Sequence, residues 1–152
     1  MGKVDTSQFQ GHLMGQIIAA VVGSLLLIFD DFAGYYFRGY STETRAYIYL
    51  GSTITATLII LVGIAGLAFA LYYAVQNLQA KDDMSPMTLI ENTRKSMLGG
   101  AFTAALAGVG AIAFIITSLD TDWWLDSGFY GAFFGGLLIA VFAKLMLDKI
   151  EV

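Results

Sequence analysis

Four long stretches of this chain carry no formal charge: residues 6–29, 46–80, 96–119 and 127–143. A helix rises ~1.5 Å per residue, so about 20 mostly apolar residues cross a hydrocarbon core of ~30 Å. Three of the stretches are long enough outright. The fourth is completed by Ala143 to Leu147, because Lys144 can lay its methylenes along the helix and lift its ammonium to the interface. The pattern predicts an all-α integral membrane protein. Its expected form is a four-helix transmembrane bundle, one domain over residues 1–152, with spans near 12–29, 46–76, 96–119 and 127–147.

Composition agrees, since 57% of residues are hydrophobic and 13% charged. That charged fraction is about half of what soluble domains carry. Too little polar surface remains to coat a water-soluble globule.

The basic residues set the expected orientation. Lys3, Lys81, Arg94, Lys95, Lys144 and Lys149 fall on the side that holds both termini, and Arg38 and Arg45 fall on the other. Basic residues near span ends stay in the cytoplasm, so both termini are expected inside and the 30–45 and 120–126 loops outside; the cell membrane is the expected compartment. The first span follows a polar, nearly neutral segment and precedes Asp30 and Asp31, so a cleaved signal peptide is not expected. Met-Gly-Lys-Val-Asp-Thr matches the pattern for acylation at Gly2, but four spans gain little from a lipid anchor.

Helix 2 is expected to run on to Gln79, with Gln76, Asn77 and Gln79 beyond the inner interface. Ser85-Pro86 reads as a capped helix start. Met87 to Ser96 then either continues straight into helix 3, so that helices 2 and 3 extend together into the cytoplasm, or lies along the interface as a separate helix. The extension is the preferred reading. The halves share a plan, "FDDFAGYYF" in one outer loop and "LDTDWWLDSGF" in the other, which fits a parallel repeat or simply two hairpins with interfacial aromatics.

Lipid tails give helices no hydrophobic reason to associate, so packing rests on small residues that admit close backbone approach. Rows at four-residue spacing occur in every span: Gly15, Ala19 and Gly23; Gly66, Ala70 and Ala74; Gly100, Ala104 and Gly108; Gly128, Ala132, Gly136 and Ala140. Gly99, Gly110, Gly131 and Gly135 lie beyond the rows and are open to contacts with another copy or subunit.

No span has an ionisable group near its centre, which argues against a pump or proton-coupled transporter. Gln16 is expected to make a packing hydrogen bond. Ser52, Thr53, Thr55 and Thr57 do not share one helical face, so they favour bonds to their own helix over a pore lining. His12 is the only histidine and there is no cysteine. A bis-histidine haem within one chain, a thiolate site and a nucleophile–base–acid set are therefore excluded, and neither cofactor nor enzymatic activity is expected. A net charge of −4 without a basic run argues against nucleic acid.

On the outer side, Tyr35, Tyr36, Phe37, Tyr40, Tyr47 and Tyr49 surround the first loop, and Trp123, Trp124, Phe129 and Tyr130 the second. Such rings favour the headgroup layer, as do Tyr72 and Tyr73 at the inner interface. Asp30, Asp31, Glu43, Asp120, Asp122 and Asp126 also fall outside. Asp120 and Asp122, with Asp30 and Asp31, are the candidate cation ligands, although the segment lacks the continuation of a calcium-binding hand. Asp126 suits the cap of helix 4.

In topology this plan is similar to claudin-like and other tetraspan membrane proteins. The paired cysteines and the Trp-Gly-Leu-Trp run of the claudin first loop are absent, so no family is assigned. The expected function is that of a non-enzymatic structural or accessory subunit, partnered by the lipid bilayer and by other integral membrane subunits or copies of itself. The alternative is a homo-oligomeric channel or passive conduit with an acidic outer mouth.

Overall fold

The computed structural model describes residues 3–37, 40–45, 54–80 and 83–151. It is mostly helical, at 79%, with four helices long and apolar enough to cross a membrane. These are α1 (Gln10–Phe29), α2 (Ile54–Gln79), α3 (Pro86–Thr117) and α4 (Ser127–Ile150). A single 3-10 turn, Thr6–Phe9, leads into α1. The expected start of helix 2, residues 46–53, lies outside the described residues, and Ser52, Thr53, Tyr47 and Tyr49 with it.

The helices form a closed ring in which α1 packs on α2 and α4, and α3 packs on α2 and α4. At one end of the ring the N-terminal segment meets the α2–α3 connection and the end of α4 meets α3. There the Val4 N–H donates to the Met84 carbonyl over 3.1 Å, and Arg94 of α3 pairs with Glu151 at 2.6 Å. Phe9, Leu13, Leu89 and Met146 form the core of this terminal end. Ser85 caps α3 through the Thr88 N–H, with Pro86 in the first turn where its missing N–H leaves no bond unmade. From there α3 runs unbroken for 32 residues, about 48 Å, well beyond the ~30 Å of a hydrocarbon core. The continuous reading of Met87 to Ser96 is the one observed.

At the opposite end the expectation of an all-α fold is corrected. Three strands form an antiparallel sheet there, with β1 (Asp31–Phe37) between β2 (Tyr40–Arg45) and β3 (Asp122–Leu125). Aromatic and β-branched residues suit a pleated surface, and β1 satisfies both edges of its backbone by pairing with both neighbours. Phe32 sits at an irregularity in the β1–β2 register and turns into the bundle, its ring edge-on to Phe129 at 5.7 Å. The sheet therefore caps the ring and shares its upper core of Leu27, Phe32, Ile60, Ala107 and Phe129.

The small-residue rows bring backbones together inside the chain. A Cβ on Gly23 would stand 2.7 Å from the Gly131 carbonyl oxygen, and one on Gly100 2.6 Å from that of Gly136. Gly15 meets Phe142, Gly66 meets Thr103, and Gly128 rests on the backbone of Asp31. Ala19, Ala70, Ala74, Ala104 and Ala132 are buried. Gly108 is looser, with Phe133 at 3.8 Å, and Ala140 turns toward the outer α3–α4 groove.

The four additional glycines are likewise occupied. Gly99 faces Gly66 and Ala70, Gly110 faces Ile59 and Phe32, and Gly131 and Gly135 face α1. The expectation that they leave room for another copy is corrected. Four helices in a closed ring need two small faces each, which a single row per helix does not supply.

Candidate functional site

Helix α3 shows how the chain divides its surfaces. Leu98, Phe102, Val109, Ile112 and Ile116 point outward, whereas Asn92, Thr93, Ser96 and Thr103 are buried. From Ser96 to Ile116 the outward face is apolar while Ser96 and Thr103 point inward, the reverse of a helix in a water-soluble protein; before Ser96, Glu91 and Arg94 are exposed opposite Asn92 and Thr93. This is the build of a multi-pass membrane protein, with lipid as the outer solvent.

The buried polar groups make a neutral seam from the terminal end toward the middle of the bundle. Asn92 Nδ2 donates to Asn77 Oδ1 over 3.0 Å, and Asn77 Nδ2 donates to Thr93 Oγ1 over 3.2 Å. Thr93 then donates to the Leu89 carbonyl over 2.7 Å. Asn77 is only 1% exposed, buried between α2 and α3. Asn92 and Thr93 remove its desolvation penalty, which makes burial tolerable.

One turn further on, Ser96 Oγ lies 2.7 Å from Gln16 Oε1 and 3.2 Å from the Ala70 carbonyl. Gln16 is 1% exposed and its expected packing bond is present, while its Nε2 has no hydrogen-bond partner among the described residues. A hydroxyl has one proton, so it can serve one of these acceptors fully. Turning the amide over lets Nε2 donate to Ser96 and Ser96 donate to Ala70. Thr103 closes the seam by donating to Gly99 over 2.9 Å. These groups tie α1, α2 and α3 together without an ionisable side chain among them. Thr57 is also buried, whereas the side chain of Thr55 lies outside those described.

At the sheet end, the carboxylates that converge are Asp31, Glu43 and Asp126, each offering an oxygen within 4.8 Å of the others. The β1–β2 ladder sets Glu43 opposite Gly34, and the Asp126 N–H donates to the Phe32 carbonyl over 3.0 Å, which draws Asp126 to Asp31. Asp120 and Asp122 stay exposed at the other end of β3, where Asp122 pairs with Tyr36. Asp30 accepts from the Asp31 N–H over 3.2 Å. Of the four expected ligands, Asp31 alone joins the cluster. Asp126, which the sequence offers as a third oxygen beside Asp120 and Asp122, joins Asp31 instead, and Glu43 enters through strand register, which a reading of these segments as loops does not supply.

Oxygen donors of this kind match a hard divalent cation. Asp126 has other partners, however, since Oδ1 accepts from the Ser127 N–H over 2.8 Å and Oδ2 from Trp124 Nε1 over 3.3 Å. It caps α4 as expected, and its charge suits the positive end of the helix dipole. Asp31 and Glu43 make further interactions of their own.

The aromatic residues divide in the same way. Trp124 lies across Gly34 and against Tyr36, with centroids 4.9 Å apart, while Trp123 and Tyr36 keep exposed surface. Tyr35 leans on Phe114. Toward the terminal end, the Tyr72 hydroxyl accepts from Gln76 over 2.6 Å, and the Lys95 ammonium stands 5.1 Å from the centre of the Tyr73 ring.

Compared with known proteins, the chain matches no family model, no curated protein and no solved structure.

Proposed function

We propose that this chain is a non-enzymatic structural or accessory subunit of a membrane assembly, acting by packing against other membrane subunits or copies of itself. Both termini face the cytoplasm of the cell membrane, and the sheet faces outward. The observation that carries the reading is the division of surfaces on α3, where polar groups are bonded inside and Leu98, Phe102, Val109, Ile112 and Ile116 project outward. Because the small-residue rows already join helices within the chain, a partner is met by these larger side chains. The six basic residues of the terminal side set the orientation.

The chain has no cysteine, so Ile112→Cys introduces a unique thiol on that face. Cross-linking in native membranes should join this variant to a partner or a second copy. Equal yield from Tyr130→Cys and Leu25→Cys, exposed on other helices, would mean random collision.

A second reading is a homo-oligomeric conduit with an acidic outer mouth, favoured by the convergence of Asp31, Glu43 and Asp126. Backbone contact at Gly23–Gly131 and Gly100–Gly136 directs any such path between copies. Absence of cation or small-solute flux in proteoliposomes would end this reading.

A further inference from the structure

We propose that this chain fits a bilayer with a hydrocarbon core of about 22–27 Å, thinner than the usual ~30 Å and supplied by short-chain phospholipids. The outward apolar side chains set that belt. It measures about 22 Å on α1, from Met14 to Phe29, and on α4, from Tyr130 to Leu145, and about 27 Å on α3, from Leu98 to Ile116, at ~1.5 Å per residue. Each of these helices is longer than its belt, because it continues at the terminal end into exposed polar residues. The fit follows from the spans and is independent of the accessory role.

Contacts between helices place the terminal-end edge of the belt in one layer. Gly15 of α1 meets Phe142 of α4, Gln16 bonds Ser96 of α3, and Lys95 of α3 stands over Tyr73 of α2. Around and beyond that layer, exposed Gln10, Gln76, Arg94 and Lys144 end the apolar surface on all four helices. At the sheet end Gly128 rests on the backbone of Asp31, and α4 rises about 21 Å between Phe142 and that contact. Exposed aromatic rings flank both edges, Tyr72 at the first and Trp123 and Tyr130 at the second, as rings do in the headgroup layer.

A thicker core has nowhere to go. Past the first edge it would cover the exposed ion pairs Arg94–Glu151, Lys144–Asp148 and Glu91–Lys95, and both members of each would lose water. Past the second it would cover Asp126 at the cap of α4. Close backbone contacts at Gly23–Gly131 and Gly100–Gly136 hold the helices in register, so the belt cannot lengthen by sliding. The lipid thins instead.

The test is reconstitution of the full chain in phosphatidylcholines whose monounsaturated chains run from fourteen to twenty-two carbons, with thermal unfolding followed by circular dichroism. The midpoint should be highest at fourteen or sixteen carbons and fall by several degrees toward twenty-two. A second measurement locates the edge itself in eighteen-carbon bilayers. The chain has no cysteine, so Arg94→Cys and Leu98→Cys each carry a single thiol. A water-soluble maleimide should label Arg94→Cys at least tenfold faster than Leu98→Cys, although the two positions lie about one turn apart. Neither readout needs a partner subunit. A midpoint that is highest at eighteen carbons or more, or equal labelling of the two thiols, would overturn the proposal.

Discussion

Gly100 of α3 and Gly136 of α4 face each other so closely that a Cβ on Gly100 would lie 2.6 Å from the Gly136 carbonyl oxygen. The contact sets the separation of the two helices. Gly136→Val should therefore push them apart and destabilise the bundle by about 1–3 kcal/mol. Gly108→Ala is the control, because its added methyl meets Phe133 at an ordinary 3.8 Å. Unfolding in mixed micelles should show a large loss for the first and little change for the second. Equal effects would contradict the backbone-contact account.

Gln16 and Ser96 join α1 to α3 through a bond that neither helix can satisfy alone. Ser96→Ala leaves the Gln16 amide buried without its partner and should cost about 1–3 kcal/mol. Adding Gln16→Leu removes the stranded amide and should recover part of that loss. A double-mutant cycle should give a coupling near 0.5–2 kcal/mol, the range for hydrogen bonds between membrane helices. Strict additivity would mean the two side chains do not interact.

Trp124 packs over Gly34 with no room for a side chain on the glycine. In a Trp123→Phe background, leaving Trp124 as the sole tryptophan, Gly34→Val should displace the indole. The expected readout is a red-shifted emission and faster quenching by a water-soluble quencher. An unchanged spectrum would place Trp124 away from β1.

Lys3 and Asp83 tie the N-terminal segment to the α2–α3 connection. Hydrogen bonding to Lys3, followed by its charge, holds the Asp83 carboxyl below the usual carboxylate range. Because the folded-state value is depressed, the pair's contribution is complete above the ordinary Asp pKa of about 3.9 and is lost as pH falls through the lower folded value. Both side chains are exposed, so the effect on global stability is small. An NMR titration should give Asp83 a midpoint below the usual range, and Lys3→Ala should return it there. A midpoint insensitive to Lys3 would contradict the pairing.

The helices were legible because their signal is local: uncharged runs of membrane length, Ser85-Pro86 at one start and Asp126 at another. Alternation in "DFAGYYF", with Arg38-Gly39 between the paired Phe37 and Tyr40, is also a local hairpin signal that a loop reading passes over. The pairing of Gly34 with Trp124 has no such signal, since the two lie far apart in sequence. For the same reason the convergence of Glu43 and Asp126 on Asp31 has no local signal. The burial of Asn77 has no local signal either, because an amide's cost of burial depends on partners, and Asn92 and Thr93 become partners only once α2 and α3 are aligned.

The most direct test of the proposed role is the native mass of the chain after extraction in mild detergent. The account predicts a complex of this chain with other membrane subunits or with further copies of itself. A lone monomer, folded and without a protein partner, would contradict it.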